Sequence, residues 1–588
     1  MTVLPRSEYP RPQFVRDDWL NLNGVWTYEF DAGRSGIERG LASAKGFASE
    51  IIVPFCPESE LSGVAHTDFI EAMFYHRKIT IPSAWSGKRI LLNFGAVDYE
   101  CTGYLDGKLV GSHFGGSSSF AFDITEQATP GQEQDFILAV TDLLRSEEQP
   151  IGKQCMDFKS RGCSYTRTTG IWQTVWMEPV DALGLKSCRV TPDLDGKAFA
   201  FVPTFYSEKQ GRRLRIRVLA EGREVGSAEV PGNSEMVTVV SLDETRPWSP
   251  DDPFLYDIEY TVEVDGGVVD RVTSYAGLRK VHIEGDKIYL NNSPVFLRLV
   301  LDQGFYRKGI WTAPSDADLK RDIELSKAAG FNGARLHQKV FEERFHYWAD
   351  KLGYLTWGES PSWGVKAFSR GTGRDVTSLR SLFNFLHEWR EVVMRDRNHP
   401  SIIAWTPANE TWPGDDMAFY RRAMAEVYDV TKQLDPTRPC NETSGYHHVK
   451  TDLWTIHFYR PSAEELLRDL HPDNQPIPCL NPEVELPAYK GQPFLNDEFG
   501  GFLYVPQALT GRFADNTWGY YGLEIKNDDE FVAKIAEQVK VMVDMPECSG
   551  FCYTQLTDVE QEQNGIFTYD RVPKAPLEKL HAAFSYHK

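Results

Sequence analysis

Nine cysteines are scattered over 588 residues, at positions 56, 101, 155, 163, 188, 440, 479, 548 and 552, with no C-x-x-C pair and no zinc-ligand spacing. An odd, dispersed set excludes a disulfide scaffold and reads as reduced thiols. Cys155 with Cys163 and Cys548 with Cys552 are the two pairs that redox chemistry could use. Basic residues are in deficit: 63 Lys and Arg against 84 Asp and Glu leave a net charge of −21, a field that repels nucleic acid and anionic lipid heads. No apolar run approaches the roughly 18 residues of a spanning helix, and the opening MTVLPRSEYPRP lacks the apolar stretch of a signal peptide. These absences predict a cytoplasmic chain without nucleic-acid or membrane partners. Also missing are a G-x-S-x-G elbow, a glycine-rich phosphate loop after a strand and an H-E-x-x-H pair, the usual signatures of acyl transfer, nucleotide chemistry and zinc hydrolysis.

What is present is length, core material and aromatics. With 41% hydrophobic residues the chain exceeds one compact domain, since single cores stop growing near about 250 to 300 residues. The first third predicts short strands at 75–81, 89–94, 102–105, 136–140 and 172–178, parted by Asp-Gly, Gly-Gly and proline turns, as in a jelly-roll sandwich over residues 1–183. Strands at 213–220, 236–241 and 256–264 predict an immunoglobulin-like β-sandwich over 184–279. From 280 the rhythm turns to strand, turn, helix. Ser315 is placed to cap a helix with Asp318 three residues on and Leu319 and Ile323 on its apolar stripe; a second helix is predicted at 342–352, with Gly353 at its end. Strands are predicted at 295–301, 332–336, 354–357, 402–406, 438–442, 453–457, 493–496 and 550–554. Eight of them, alternating with helices, is the arithmetic of a (β/α)8 TIM barrel over 280–588, whose chemistry sits at the carboxyl ends of its strands.

That rule makes a shortlist: Asp302, Arg335, His337, Glu359, Asn409, Glu410, His457, Tyr459, Glu498 and Asp558 end or follow the predicted strands. Carboxylates dominate it, and Trp357, Trp363, Trp405, Trp412, Tyr504 and Trp518 lie within or beside the same ends. Paired carboxylates with flat aromatic faces suit glycoside cleavage, which needs an acid at the leaving oxygen and an anion at the anomeric carbon. An arbitrary Asp or Glu is more often a solvated charge or a surface ion-pair partner, so position decides. Glu410 after the fourth strand and Glu498 after the seventh can face each other across the barrel mouth.

DRNHPSIIAWTPANE, residues 396–410, resembles the acid/base signature of glycoside hydrolase family 2, the β-galactosidase and β-glucuronidase family. RPQFVRDDWLNLNGVW (11–26), FGAVDYECTGYLDGKLVGSHFGG (94–116) and WSPDDPFLY (248–256) extend the resemblance along the chain. It implies that Glu410 is the general acid/base and Glu498, in LNDEFGGF, the nucleophile. Asn409 then hydrogen-bonds the sugar 2-hydroxyl, Tyr459 positions the nucleophile, Arg335 lies beside it, and Glu359 is a third acidic position. His337, His457, Asp302 and Trp518 join the predicted substrate-binding wall. The loop 154–170 is expected to approach the barrel mouth and bring Tyr165 or Arg167 to it.

Departures from the family pattern narrow the substrate. Thr406 stands where the signature has Ser or Gly, and Arg335-Leu336-His337-Gln338-Lys339 replaces the usual R-[ST]-[ST]-H-Y-P, so the second-strand wall differs. QEQNGIFTYDR (561–571) resembles a glucuronidase segment that carries an N-x-K clamp for the sugar carboxylate, and here the clamp falls on Glu562 and Asn564. An anionic Glu562 disfavours a uronate unless Lys339 supplies a replacement cation. The expectation is a retaining exo-glycosidase acting on terminal neutral glycosides, β-D-galactosides first, with α-L-arabinosides, furanosides and β-glucuronides as alternatives. Its partner is the carbohydrate substrate, with no cofactor and no metal, and self-association to a homo-oligomer is common in the family. The charge on Glu498 is expected to raise the pKa of Glu410 and keep it an acid. A non-catalytic carbohydrate-binding protein is the rival from another class; an aldolase or isomerase would want a strand-end Lys in a Schiff-base setting.

Overall fold

The computed structural model describes residues 4–368, 379–413, 416–470, 486–506, 517–521 and 525–587. Eight of the nine cysteines are free thiols, and Cys479 lies outside the described residues. No described helix is long and apolar enough to cross a membrane.

The first unit is two antiparallel sheets packed face to face. Six strands run in the order Ser49–Val53, Gly24–Phe30, Ala72–Thr80, Glu133–Thr141, Glu100–Leu105, Lys108–Phe114, and four in the order Leu20–Asn21, Val175–Val180, Arg89–Phe94, Phe120–Asp123. Alternation drives the packing: Phe136, Leu138 and Val140 point inward from one sheet and meet Leu92, Phe94 and Met177 of the other. The strand predicted from 172 starts only at Val175, because Gly170–Ile171 pairs instead with Val97–Asp98.

A second pair of sheets follows. Leu185–Asp193, Ala198–Phe205 and Thr238–Ser241 form one, and Arg223–Pro231, Arg213–Ala220, Tyr256–Val264 and Gly267–Ala276 the other. Leu214, Ile216, Val218, Tyr256, Ile258, Tyr260 and Val262 supply alternate positions to the shared core. A small antiparallel sheet, Val281–Glu284, Lys287–Leu290 and Ser293–Pro294, then precedes the barrel strands. The strand–helix reading from 280 passed over it. Its second turn needs positive φ, which Asn291 (52°) and Asn292 (63°) adopt more readily than most residues.

Seven parallel strands form the last sheet, in the order Ile402–Thr406, Leu355–Glu359, Gly333–Leu336, Leu297–Asp302, Cys548–Thr554, Phe494–Gly500, Trp454–His457. Nearly every residue in them is buried, as in a sheet covered on both faces. The predicted strand at 438–442 is not a ladder strand. Pro439 has no N–H to offer, and the segment meets its neighbour through one Trp405–Cys440 bridge, with Trp405 N donating to Pro439 O at 3.0 Å and Asn441 N to Trp405 O at 2.9 Å. Pairing resumes between Ala408–Asn409 and Thr443–Ser444. The predicted helices are Asp316–Ala328 and Glu343–Leu352. Ser315 departs from the predicted cap: its hydroxyl donates to the Asp318 carboxylate at 2.6 Å and accepts no backbone N–H. Gly353 ends the second helix in the left-handed region, φ 65°.

Candidate active site

Glu410 follows the Ala408–Asn409 strand and Glu498 lies within Phe494–Gly500, so two different strand ends carry the two carboxylates. Glu410 sits at φ 48°, a left-handed conformation for a non-glycine residue, with its N–H donating to Ser444 O at 2.8 Å. Such a backbone costs on the order of 1 to 3 kcal/mol and persists where its surroundings over-determine it. His457 ends the Trp454–His457 strand between the two acids: its Nδ1 is 2.7 Å from Glu410 Oε1 and 3.4 Å from Glu498 Oε2. One oxygen of each carboxylate and a nitrogen of His457 all lie within 4.8 Å of one another. Retaining glycosidases hold their carboxyl groups about 5 Å apart and inverting ones about 6.5 to 9.5 Å, so this is the close class of spacing.

Arg335, fully buried at the end of Gly333–Leu336, ties three strands together. Its Nε donates to Glu359 Oε2 at 2.6 Å, one terminal nitrogen to Glu498 Oε1 and Asp497 O at 3.0 Å each, and the other to Asn409 Oδ1 at 2.6 Å and His337 Nδ1 at 2.9 Å. With Asn409 Oδ1 committed, its buried Nδ2 has no protein partner and is left for a ligand. Tyr459 donates to Glu498 Oε2 at 2.7 Å, so both oxygens of that carboxylate are held. Tyr520 stacks on Tyr459 at 3.6 Å, and Trp518 packs against Tyr520 at 4.9 Å, extending an aromatic wall from the carboxylate outward. Glu359 is spent on Arg335 and the Gln338 backbone, which makes it an anchor for the arginine.

The charges sort themselves around His457. Burial lowers its pKa, but the charges of Glu498 and Asp497 and its bonds to Asp497 and Glu410 raise it to about 10. For Glu498, burial pushes upward and the His457 and Arg335 charges outweigh it, leaving the carboxyl below the ordinary glutamate value. Glu410 is also held low: burial raises it, and the His457 bond and charge, then Lys153 and Arg335, prevail. This reverses the sequence expectation, because a cation stands between two acids that were pictured as facing each other alone. Among the described residues Glu410, His457 and Glu498 are also the set whose atoms could ligate a metal, and a metal there would have to displace the His457 proton. His337 is the opposite case: burial, Lys153 and Arg335 push its pKa well down, so it is a neutral imidazole.

A second wall comes from residues 561–564 and from the first sandwich. Tyr165 donates to Glu562 Oε2, Asn564 Nδ2 to Glu562 Oε1 at 3.0 Å, Gln555 Nε2 to Asn564 Oδ1 at 2.8 Å, and Gln303 Nε2 to both Gln555 Oε1 (2.7 Å) and the Tyr165 oxygen (2.6 Å). The five side chains close a ring. Burial raises Glu562 to about 7 against the Lys153 charge and its two hydrogen bonds.

Other predicted residues lie elsewhere. Lys339 cannot be the replacement cation, since its ammonium is bound by Gly304 O (2.6 Å) and Trp311 O (2.7 Å), and burial brings its pKa to about 8. Asp302 accepts from Gly304 N at 2.9 Å and belongs to the charge group of Asp322 and Arg571, with no described contact to Glu410 or Glu498. Asp558 pairs with Lys574 at 2.6 Å. Arg167 is spent on the carbonyls of Cys155, Asp157, Phe158 and Thr67, and so shapes the loop and leaves the pocket to Tyr165. Trp357 and Trp405 are core residues. The sequence reading missed Lys153 altogether, and with it Tyr446, whose hydroxyl lies 3.5 Å from Glu410 Oε1.

Two family models match the chain: "Glycosyl hydrolases family 2, TIM barrel domain" over residues 281–587 and "Glycosyl hydrolases family 2" over 185–279. A β-glucuronidase of Paenibacillus borealis is 23% identical over 97% of each chain. A β-galactosidase of Thermoanaerobacter pseudethanolicus is 25% identical over 83% of this chain and 60% of its own. Among solved structures, a β-glucuronidase from Ruminococcus gnavus superimposes with a TM-score of 0.78 at 21% identity, covering 99% of this chain and 100% of that one.

Proposed function

The chain belongs to glycosyl hydrolase family 2, and from that premise we propose that it is a retaining exo-glycosidase that removes terminal neutral sugars, β-D-galactosides first and α-L-arabinosides next. The observation that carries the reading is the close pair of carboxylates on separate strand ends, one of them gripped at both oxygens. Glu498, kept ionised by His457 and Arg335, attacks the anomeric carbon while Glu410 protonates the leaving oxygen. In the resting site the proton sits on His457 Nδ1, 2.7 Å from Glu410 Oε1, and its shift along that bond arms the acid. Forming the glycosyl ester removes the charge of Glu498, and the Glu410–His457 pair then accepts a proton from the water that releases the sugar. Asn409 Nδ2 supplies a donor for the sugar 2-hydroxyl, and Trp518, Tyr520 and Trp363 offer faces for its C–H surfaces.

A neutral glycone is favoured over a uronide because the clamp positions are filled by a carboxyl, Glu562, and by Asn564, which bond each other. α-L-Arabinosides share the galactoside ring stereochemistry without the exocyclic CH2OH, a difference worth only about 1 to 3 kcal/mol in discrimination. The same reading assigns residues 1–183 to a jelly-roll unit, 184–279 to an immunoglobulin-like unit and 280–588 to a (β/α)8 barrel with 438–444 in the fifth strand position. The test is Glu498→Ala on an aryl β-galactoside. Turnover should collapse with the fold intact, and azide should restore it as a glycosyl azide of inverted configuration. Full activity in that variant would remove Glu498 from the mechanism.

A further inference from the structure

Lys153 belongs to the first sandwich by sequence, yet its ammonium stands in the barrel mouth. The residue is only 5% exposed. Its Nζ lies 3.7 Å from the centre of the Trp363 ring, and Trp363 Nε1 donates to Asn409 O at 3.3 Å, so one indole joins the ammonium to the catalytic strand end. Among the described residues no oxygen accepts a hydrogen bond from Nζ. Burial lowers its pKa, but the charges of Cys163, Glu562, Glu498 and Glu410 more than compensate, and it remains an ammonium.

Its position is braced from both sides. Tyr165 N donates to Lys153 O at 2.7 Å, and Ile151 N donates to Trp363 O at 2.8 Å. The next residue, Gln154, is fixed by donating to Asp98 Oδ2 and accepting from Thr168 N, each at 2.8 Å. With no described protein acceptor for its three N–H groups, the ammonium is free to donate to a ligand or to solvent at the pocket.

We propose that Lys153 donates to hydroxyl oxygens of the glycone, so that the first sandwich contributes a specificity-determining group to the sugar pocket. The acceptor is uncharged, because three carboxyl groups already surround the ammonium; an anionic substituent would add another negative charge to that wall, and a hydroxyl adds none. This inference rests on the glycosidase reading above and deepens it to a class of glycone.

The experiment compares the full-length wild type with Lys153→Met and Lys153→Gln on nitrophenyl β-D-galactoside, on its monodeoxy analogues and on the β-D-glucuronide. Lys153→Met is expected to lower kcat/KM on the parent galactoside by about 100-fold. The loss should shrink to under about threefold on the deoxy sugar that lacks the hydroxyl Lys153 reads, and Lys153→Gln, a neutral donor, should fall between. Unfolding midpoints show whether either variant is folded, and the comparison across sugars is internal to each variant. An equal loss on every deoxy sugar, or no loss on any, overturns the proposal while leaving the glycosidase reading intact. A loss confined to the glucuronide overturns it in favour of a carboxylate reader. A wild type inert on every glycoside brings down both.

Discussion

Replacing His457 by Gln removes the one cation that, among the described residues, contacts both of the proposed catalytic carboxylates. The imidazole is carried from its ordinary 6.5 to about 10 by its neighbours, and at about 1.4 kcal/mol per pH unit that is an interaction of several kcal/mol, little screened in a fully buried group. Attraction is mutual, so the force that keeps the proton on His457 also keeps Glu410 and Glu498 below their ordinary values. Without it both carboxyl groups should rise. If Glu498 is the nucleophile, as proposed, the acidic limb of kcat/KM reports its ionisation in the free enzyme and is expected to move up by about 1 to 2 pH units in His457→Gln, measured on an aryl galactoside. Stability should follow the same linkage. The folded pKa lies above the unfolded one, so the contribution is complete below about pH 6.5 and is lost as pH rises through about 10. The gap in unfolding midpoint between wild type and variant is therefore widest on the acid side and closes in alkali. A variant whose profile is scaled down at every pH with its limbs unmoved would refute the proton-sharing argument.

Other expectations can be checked on the same assay. Tyr459→Phe deletes the 2.7 Å bond to Glu498 Oε2 and should lower kcat about 10- to 100-fold with KM within a few-fold, as for a bond to a charged group worth roughly 1.5 to 3 kcal/mol; a pure KM effect would contradict it. Glu359→Gln leaves the fully buried Arg335 without its strongest partner and should cost about 3 to 5 kcal/mol in denaturant unfolding. Lys339→Met should lower stability by about 1 to 3 kcal/mol by orphaning the Gly304 and Trp311 carbonyls, while kcat/KM for the galactoside stays within about twofold if Lys339 lies outside the pocket.

The carboxylates were legible in the sequence because strand ends are a one-dimensional signal: an apolar run stops, and the next polar residue projects at the barrel mouth. Arg335, Asn409, Tyr459 and Glu498 were found that way and meet in space. The same signal promoted Asp302, which the fold turns toward Asp322 and Arg571, since a strand end has two sides and periodicity does not say which faces the pocket. His457 was found but its role was not. Sequence places it two residues before Tyr459 without revealing that its ring lies between the two acids, so the sign of the shift on Glu410 came out reversed. Lys153 carried no signal at all, because its importance arises from a loop of one unit crossing to another, more than 200 residues away along the chain from Trp363. The segment at 438–442, Arg-Pro-Cys-Asn-Glu, was counted as a strand from its place in the strand–helix rhythm, although Pro439 had already removed one ladder donor.

The hydrogen bond from Tyr165 to Glu562 spans 397 positions of the chain. During synthesis the tyrosine is made long before its partner exists, and an isolated barrel would meet Glu562 with one oxygen unanswered and no ammonium nearby. Completion of this pocket wall is thus a readout of assembly: a translation product cut short before residue 562 lacks the carboxyl that Tyr165 meets, whatever else of it folds. Turnover, followed during refolding, would register the last docking event and not the first collapse.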